Sequence, residues 1–315
     1  MIRSLPYTGP VKSTFPLVFY LSAQLRYALR DGLTALFLSD CGGPMIGPHH
    51  SSSPELSIVV PAHNEADRIL PFLRQITDYC EQQIRFYEVL VVDDGSTDGT
   101  SRIVERYAQV HPAVRVIRSS TCQGKGAAVR HGMQSATGCL QLFADADGAT
   151  PIEELARLEK AMVEGADMAI GSRALAARLP EFAVHARLYR SVLGTLFNAA
   201  VRRSGIPGIA DTQCGFKLFR RAVAQELFSY ASINGFGFDL ELLYLAQRRG
   251  YRIAEVPVNW SDQPGSKVRV MRDGLSMLRD LAVIRRNDVQ GRYQLPSFST
   301  ELMQVGASRF RMPAS

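Results

Sequence analysis

From residue 55 onward, short apolar runs alternate with longer stretches in which apolar residues recur every three to four positions. The runs predict strands near 56–61, 87–92, 113–117 and 140–145, and the periodic stretches predict helices near 66–80, 97–109 and 126–135. Val89-Leu90-Val91-Val92 is apolar at every position, as expected of a strand covered on both faces. The repeated strand–helix order predicts an α/β domain with a Rossmann-like, mostly parallel sheet and helices on both faces. Ligands of such sheets bind beyond the carboxyl ends of the strands. Before residue 55 the pattern fails: residues 1–54 hold no motif and end in the breaker-rich His49-His50-Ser51-Ser52-Ser53-Pro54. The expected organisation is an extension and linker over 1–54, a domain over 55–286, and a loosely ordered tail over 287–315.

The chain is organised around Leu140–Thr150, LQLFADADGAT. A strand leads into Asp145 and Asp147, then a glycine and a helix start at Pro151. Residues at i and i+2 of a strand point the same way, so the two carboxylates can converge on one hard cation, Mg²⁺ or Mn²⁺. The competing reading is that they only cap the following helix. Three further motifs fall at strand ends. Val60-Pro61-Ala62-His63-Asn64-Glu65 breaks the first strand at a proline, and Asp94 stands at the tip of the second, where its acceptor-only carboxylate suits a base N–H or a ribose hydroxyl. Lys125 lies in Gln123-Gly124-Lys125-Gly126, a flexible turn before a helix and so a candidate phosphate contact.

Composition narrows this only a little. A net charge of +6 favours an anionic partner without choosing among nucleic acid, phospholipid and nucleotide. The five cysteines are odd in number and lack C-x-x-C spacing, which favours a reducing compartment over a disulfide framework or zinc site. The most apolar stretch, 15–38, is interrupted by Arg26, Arg30 and Asp31, and reads as an amphipathic surface helix rather than a membrane span or signal peptide.

Taken in order, VVPAHNE, VVDDGSTDGT, QGKGAAVRHGM, DADGAT, GSR and DTQCGFKLF resemble the family 2 glycosyltransferases, nearest to the branch of dolichyl-phosphate glucosyltransferases and dolichol-phosphate mannose synthases. The likeness spans about residues 55–286. It implies a GT-A fold, a UDP-glucose donor, a divalent metal, inversion at the anomeric carbon, and a polyprenyl phosphate acceptor met at the cytoplasmic face of a membrane. By the same resemblance, Pro61, Ala62, Asn64, Glu65, Asp93, Asp94 and Lys125 would serve the nucleotide sugar, and Asp145 and Asp147 the metal and diphosphate. Arg173, Arg187, Ser191, Lys217 and Lys267 would receive the acceptor phosphate. Ala149 departs from the mannose synthases, which carry a metal-binding glutamine there.

An acceptor phosphate has a second pKa of about 6 and hardly needs a general base, whereas cations are needed to bring two anions together. A hydroxyl acceptor would instead require a base, for which Asp239 is the candidate. Asp239 and Glu241 could alternatively complement a helix N-terminus, and Asp211 could orient a substrate hydroxyl or cap a turn. Basic amphipathic helices are expected over 185–203 and 270–286, the second with Met271, Leu275, Leu278 and Ala282 as its apolar stripe, facing either the core or a lipid headgroup layer. Nucleotidyl transfer is disfavoured because no Gly-rich basic loop follows the first strand. A nucleic-acid-binding module is disfavoured because no aromatic–basic platform is present.

Overall fold

The computed structural model describes residues 53–83, 85–185, 206–263 and 270–294. Strand β1 (Leu56–Ala62), α1 (Ile69–Gln82), β2 (Tyr87–Asp94), α2 (Thr100–Ala108), β3 (Val114–Ser119), α3 (Lys125–Ser135) and β4 (Leu140–Ala144) follow the alternation expected from the pattern. A 3₁₀ turn (Ile152–Glu154) then leads into α4 (Leu155–Val163), followed by β5 (Met168–Ser172), the short α5 (Arg173–Ala176) and β6 (Val184–His185). Beyond these come β7 (Phe216–Arg220), α6 (Arg221–Tyr230), α7 (Phe238–Arg248), β8 (Ile253–Pro257), β9 (Trp260–Ser261) and α8 (Val270–Val289).

The main sheet runs β3-β2-β1-β4-β7-β5-β8, and β6 pairs with β9 separately. Every pairing in the main sheet is parallel except those of β7, which is antiparallel to both β4 and β5. Strands β1 and β4 are buried along their whole length, as strands covered on both faces must be. Their side chains join Val129 and Met133 of α3 and Phe238 and Leu242 of α7 in the core. Each such side chain contributes about 1.5–3 kcal/mol on burial.

Several expectations change. Pro61 does not end β1, which continues to Ala62. The β1 ladder to β4 stops at Val59↔Phe143 while that to β2 runs on to Ala62↔Asp93, so the proline falls where β4 has already diverged. His185 belongs to β6 rather than to a helix, because it pairs with Ser261; 186–205, including Arg187 and Ser191, lie outside the described residues, as does Lys267. Cys80, Cys122 and Cys214 are free. In α8 the inward face is Met277, Leu281 and Ile284, and the expected stripe members Leu275 and Leu278 point to solvent. Ordered packing also runs past Arg286, since α8 reaches Val289 and Tyr293 is buried against Glu241.

Candidate active site

The loops after β1 and β2 are built against each other. Asn64, held at φ +55°, donates its N–H to Ser96 Oγ and accepts from Thr97 N through its side chain. Glu65 N–H donates to Thr100 Oγ1 and Ala66 N–H to Asp98 Oδ2. The Glu65 carboxylate is taken by Arg68, with two hydrogen bonds of 2.7 Å. Arg68 was not among the expected site residues; its spacing of three from Glu65 at a helix start was the available signal.

Asp93 and Asp94 each accept hydrogen bonds from the loops around them. Consecutive strand residues face opposite ways. Asp93 accordingly accepts from Ser96 N on one side, with the Ser101 hydroxyl also against it. Asp94 accepts on the other from Gln123 N at 2.7 Å and Gly124 N at 2.8 Å. Both residues are buried, and what they fix is the pair of loops that frame the cleft. Pro61 and Ala62 are likewise buried, at the strand end.

Beyond the end of β4, Asp145 donates its N–H to Gly215 O at 3.0 Å, one step past the β4–β7 ladder. Its carboxylate packs directly over Gly215, where a Cβ would lie 2.0 Å from Oδ2. Asp145 Oδ1 is buried and is ion-paired with Lys125 Nζ at 2.7 Å. Asp147 Oδ1 accepts from Ala149 N, with Arg68 3.9 Å from its other oxygen. Burial first, and the neighbouring Asp145 second, push the Asp147 carboxyl above its usual range. Asp145 and Asp147, close enough for one to act on the charge of the other, supply the carboxylate oxygens a hard divalent cation prefers, so the residues present fit such an ion. Asp147, Asn64, Glu65, Arg68, Phe72 and Gln263 line a cleft of about 640 Å³, within the range of small-molecule sites. Ala149, at the mannose-synthase glutamine position, is buried and its carbonyl accepts from Ser261 N.

The expected cations separate. Arg173 heads α5, whose N-cap Ser172 accepts from Leu175 N. Its guanidinium is gripped by Asp211 through Nε at 2.7 Å and Nη2 at 2.8 Å, and lies over the Trp260 ring. Asp211 therefore orients Arg173 rather than capping a turn alone. Burial would raise the Asp211 carboxyl, but Arg173 holds it below its ordinary value. Lys217 is fully buried, donating to Cys214 O at 2.6 Å and to Asp239 Oδ1 at 2.5 Å. It therefore does not face the cleft. Its β7 position puts it beneath Phe143, where pairing with Asp239 compensates the buried charge. Burial raises the Asp239 carboxyl against the pull of Lys217 and Lys125. Glu241 is also buried, accepting from Ser232 N, Ile233 N, Ser232 Oγ and Tyr293 Oη.

The glycosyl transferase family 2 model matches residues 57–228. The chain is 40% identical over 261 residues to the dolichyl-phosphate beta-glucosyltransferase of Drosophila melanogaster, covering 78% of this chain and 79% of that protein. The corresponding Homo sapiens protein is 39% identical over 259 residues, with the same coverage of 78% and 79%. Among solved structures, glucosyl-3-phosphoglycerate synthase from Mycobacterium tuberculosis in complex with Mn²⁺, uridine-diphosphate and phosphoglyceric acid superposes with a TM-score of 0.52 at 19% identity, covering 84% of each chain. Mannosyl-3-phosphoglycerate synthase from Rubrobacter xylanophilus gives 0.53 at 22%, covering 79% of this chain and 80% of that one. The shared architecture is the GT-A fold. With its six motifs in order along the chain and the likeness running through most of its length, the protein is a glycosyltransferase and belongs to family 2.

Proposed function

We propose that this glycosyltransferase moves glucose from UDP-glucose, with inversion, to a polyprenyl phosphate of the dolichyl type at the cytoplasmic face of a membrane. The observation that supports the reading is Asp147, on whose charge Asp145 acts, lining a cleft of small-molecule size in a chain 40% identical to a dolichyl-phosphate beta-glucosyltransferase. Asp145 and Asp147 would hold Mg²⁺ or Mn²⁺, which when bound would supply positive charge to the departing diphosphate. Asn64, Glu65 and Arg68 shape the donor side of the cleft. Arg173, kept in one orientation by Asp211, presents a fixed guanidinium to an acceptor phosphate, a match that favours bidentate contact.

The hydroxyl-acceptor reading fares less well. A general base must reach the proton it removes, and Asp239 is buried and committed to Lys217 at 2.5 Å. Among the described residues no helix is long and apolar enough to cross a membrane. We assign lipid contact to the outward face of α8, where exposed Leu275, Leu278 and Val289 are interleaved with Arg279, Arg285 and Arg286.

The test is transfer of labelled sugar from a panel of UDP- and GDP-sugars to polyprenyl phosphate in detergent, with and without chelator. Chelator-sensitive label in the lipid phase, greatest with UDP-glucose and lost in Asp147→Ala, is the expected result. Donor turnover with no label entering lipid from any donor would refute the acceptor.

A further inference from the structure

Lys125 is the first residue of α3, and its backbone has little freedom to move. Gly124 before it has φ +108°, and a Cβ there would come within 2.5 Å of Asn234 O. Gly126 N–H donates to that same carbonyl at 2.7 Å. The helix start is thus clamped to the loop preceding α7, and only the four-carbon side chain can redirect the charge. That side chain runs between two rings, with Nζ 5.5 Å from the Phe143 centroid and 5.9 Å from that of Phe236. It ends in an ion pair with the buried Asp145 Oδ1 at 2.7 Å. Asp239 and Asp147 are the other carboxylates acting on the same ammonium.

A divalent cation coordinates carboxylate oxygen at about 2.1 Å. An ammonium 2.7 Å from that oxygen would intrude on the ion's coordination sphere and repel it. We propose that Lys125 is an exchangeable counter-ion of the metal site: it neutralises Asp145 before the cation arrives, is displaced when the cation binds, and then turns to the donor diphosphate. The inference rests on the reading of Asp145 and Asp147 as metal-binding carboxylates. It gives Lys125 two opposed effects. The ammonium competes with the metal alone and cooperates with the metal once a diphosphate brings negative charge. A lysine that served only as a phosphate contact would leave the affinity for metal alone unchanged.

The experiment is titration of the full chain with Mn²⁺ alone, and with UDP at saturating Mn²⁺, for wild type, Lys125→Met and Lys125→Arg. Methionine keeps the packing between the two rings and removes the charge. The expected result is Mn²⁺ binding about tenfold tighter in Lys125→Met, with UDP·Mn²⁺ binding about tenfold weaker, while Lys125→Arg stays near wild type for Mn²⁺ alone. Unchanged or weaker Mn²⁺ binding in Lys125→Met overturns the inference but leaves the metal reading standing. Wild type that binds Mn²⁺ neither alone nor with UDP overturns both. Reductive methylation of wild type, followed at Lys125 by mass spectrometry, gives a test without a variant. Its rate should rise several-fold on adding Mn²⁺, and a rate insensitive to Mn²⁺ counts against displacement.

Discussion

Gly215 is the position where a single added methyl should separate chemistry from folding. A Cβ there would lie 2.0 Å from Asp145 Oδ2, 2.2 Å from Cγ and 2.6 Å from Oδ1. Non-bonded carbon contacts settle at about 3.5 Å, so the carboxylate must retreat by more than about 1 Å. Misplacement of that size costs about 100-fold in rate at a site that depends on orientation, and a hard cation tolerates only a few tenths of an ångström in its ligand distances. The cost in stability should be small, about 1 kcal/mol, because the obstacle is the end of one side chain rather than backbone. Gly215 also lacks the left-handed φ that would strain an alanine. Gly215→Ala should therefore lose about 100-fold in sugar transfer and bind Mn²⁺ more weakly, with a thermal midpoint within a few degrees of wild type. Wild-type transfer and Mn²⁺ affinity in this variant would refute the claim that the Asp145 position matters. A stability loss above about 3 kcal/mol would instead mean that the strain had entered the β4–β7 pairing, for which the same register predicts no reason.

Asp211→Asn should destabilise the fold by about 2 kcal/mol at neutral pH, between the values for exposed and buried ion pairs, since the Arg173 side chain keeps 31% of its surface. Because Arg173 holds the Asp211 carboxyl below its unfolded value, that contribution is fully present above about pH 4. It vanishes as pH falls through the lower folded value, so urea melts of wild type and variant should converge in acid. Glu241→Ala should cost about 2 kcal/mol by stranding the buried Ile233 N–H and releasing the part-buried Ser232 N–H, and Glu241→Gln distinctly less, as read by thermal unfolding. Leu275→Asp and Leu278→Asp should each weaken sedimentation with anionic vesicles about tenfold while leaving the melting point unchanged; vesicle binding equal to wild type would move lipid contact away from α8.

The strand–helix alternation from 55 to 145 and the motifs at the strand ends were legible in the sequence, because each element's face pattern is written in its own few residues. That Asp145 and Asp147 stand just past the end of β4 was legible for the same reason, the two lying two residues apart in one short motif. Partnerships across the sheet were not. That β7 enters between β4 and β5 in the opposite sense is decided by strands far apart in the chain, and it carries Lys217 under Phe143 and away from the cleft. Lys217 meets Asp239 22 residues later, Arg173 meets Asp211 38 residues later, and Asp94 spends its carboxylate on backbone 29 and 30 residues on. The outward turn of the α8 stripe has the same origin: Leu275 and Met277 are both apolar, and only the surface offered by the rest of the domain selects Met277 for burial. Local periodicity says which residues can share a face. Charge compensation and close packing, which act through space, decide what that face meets.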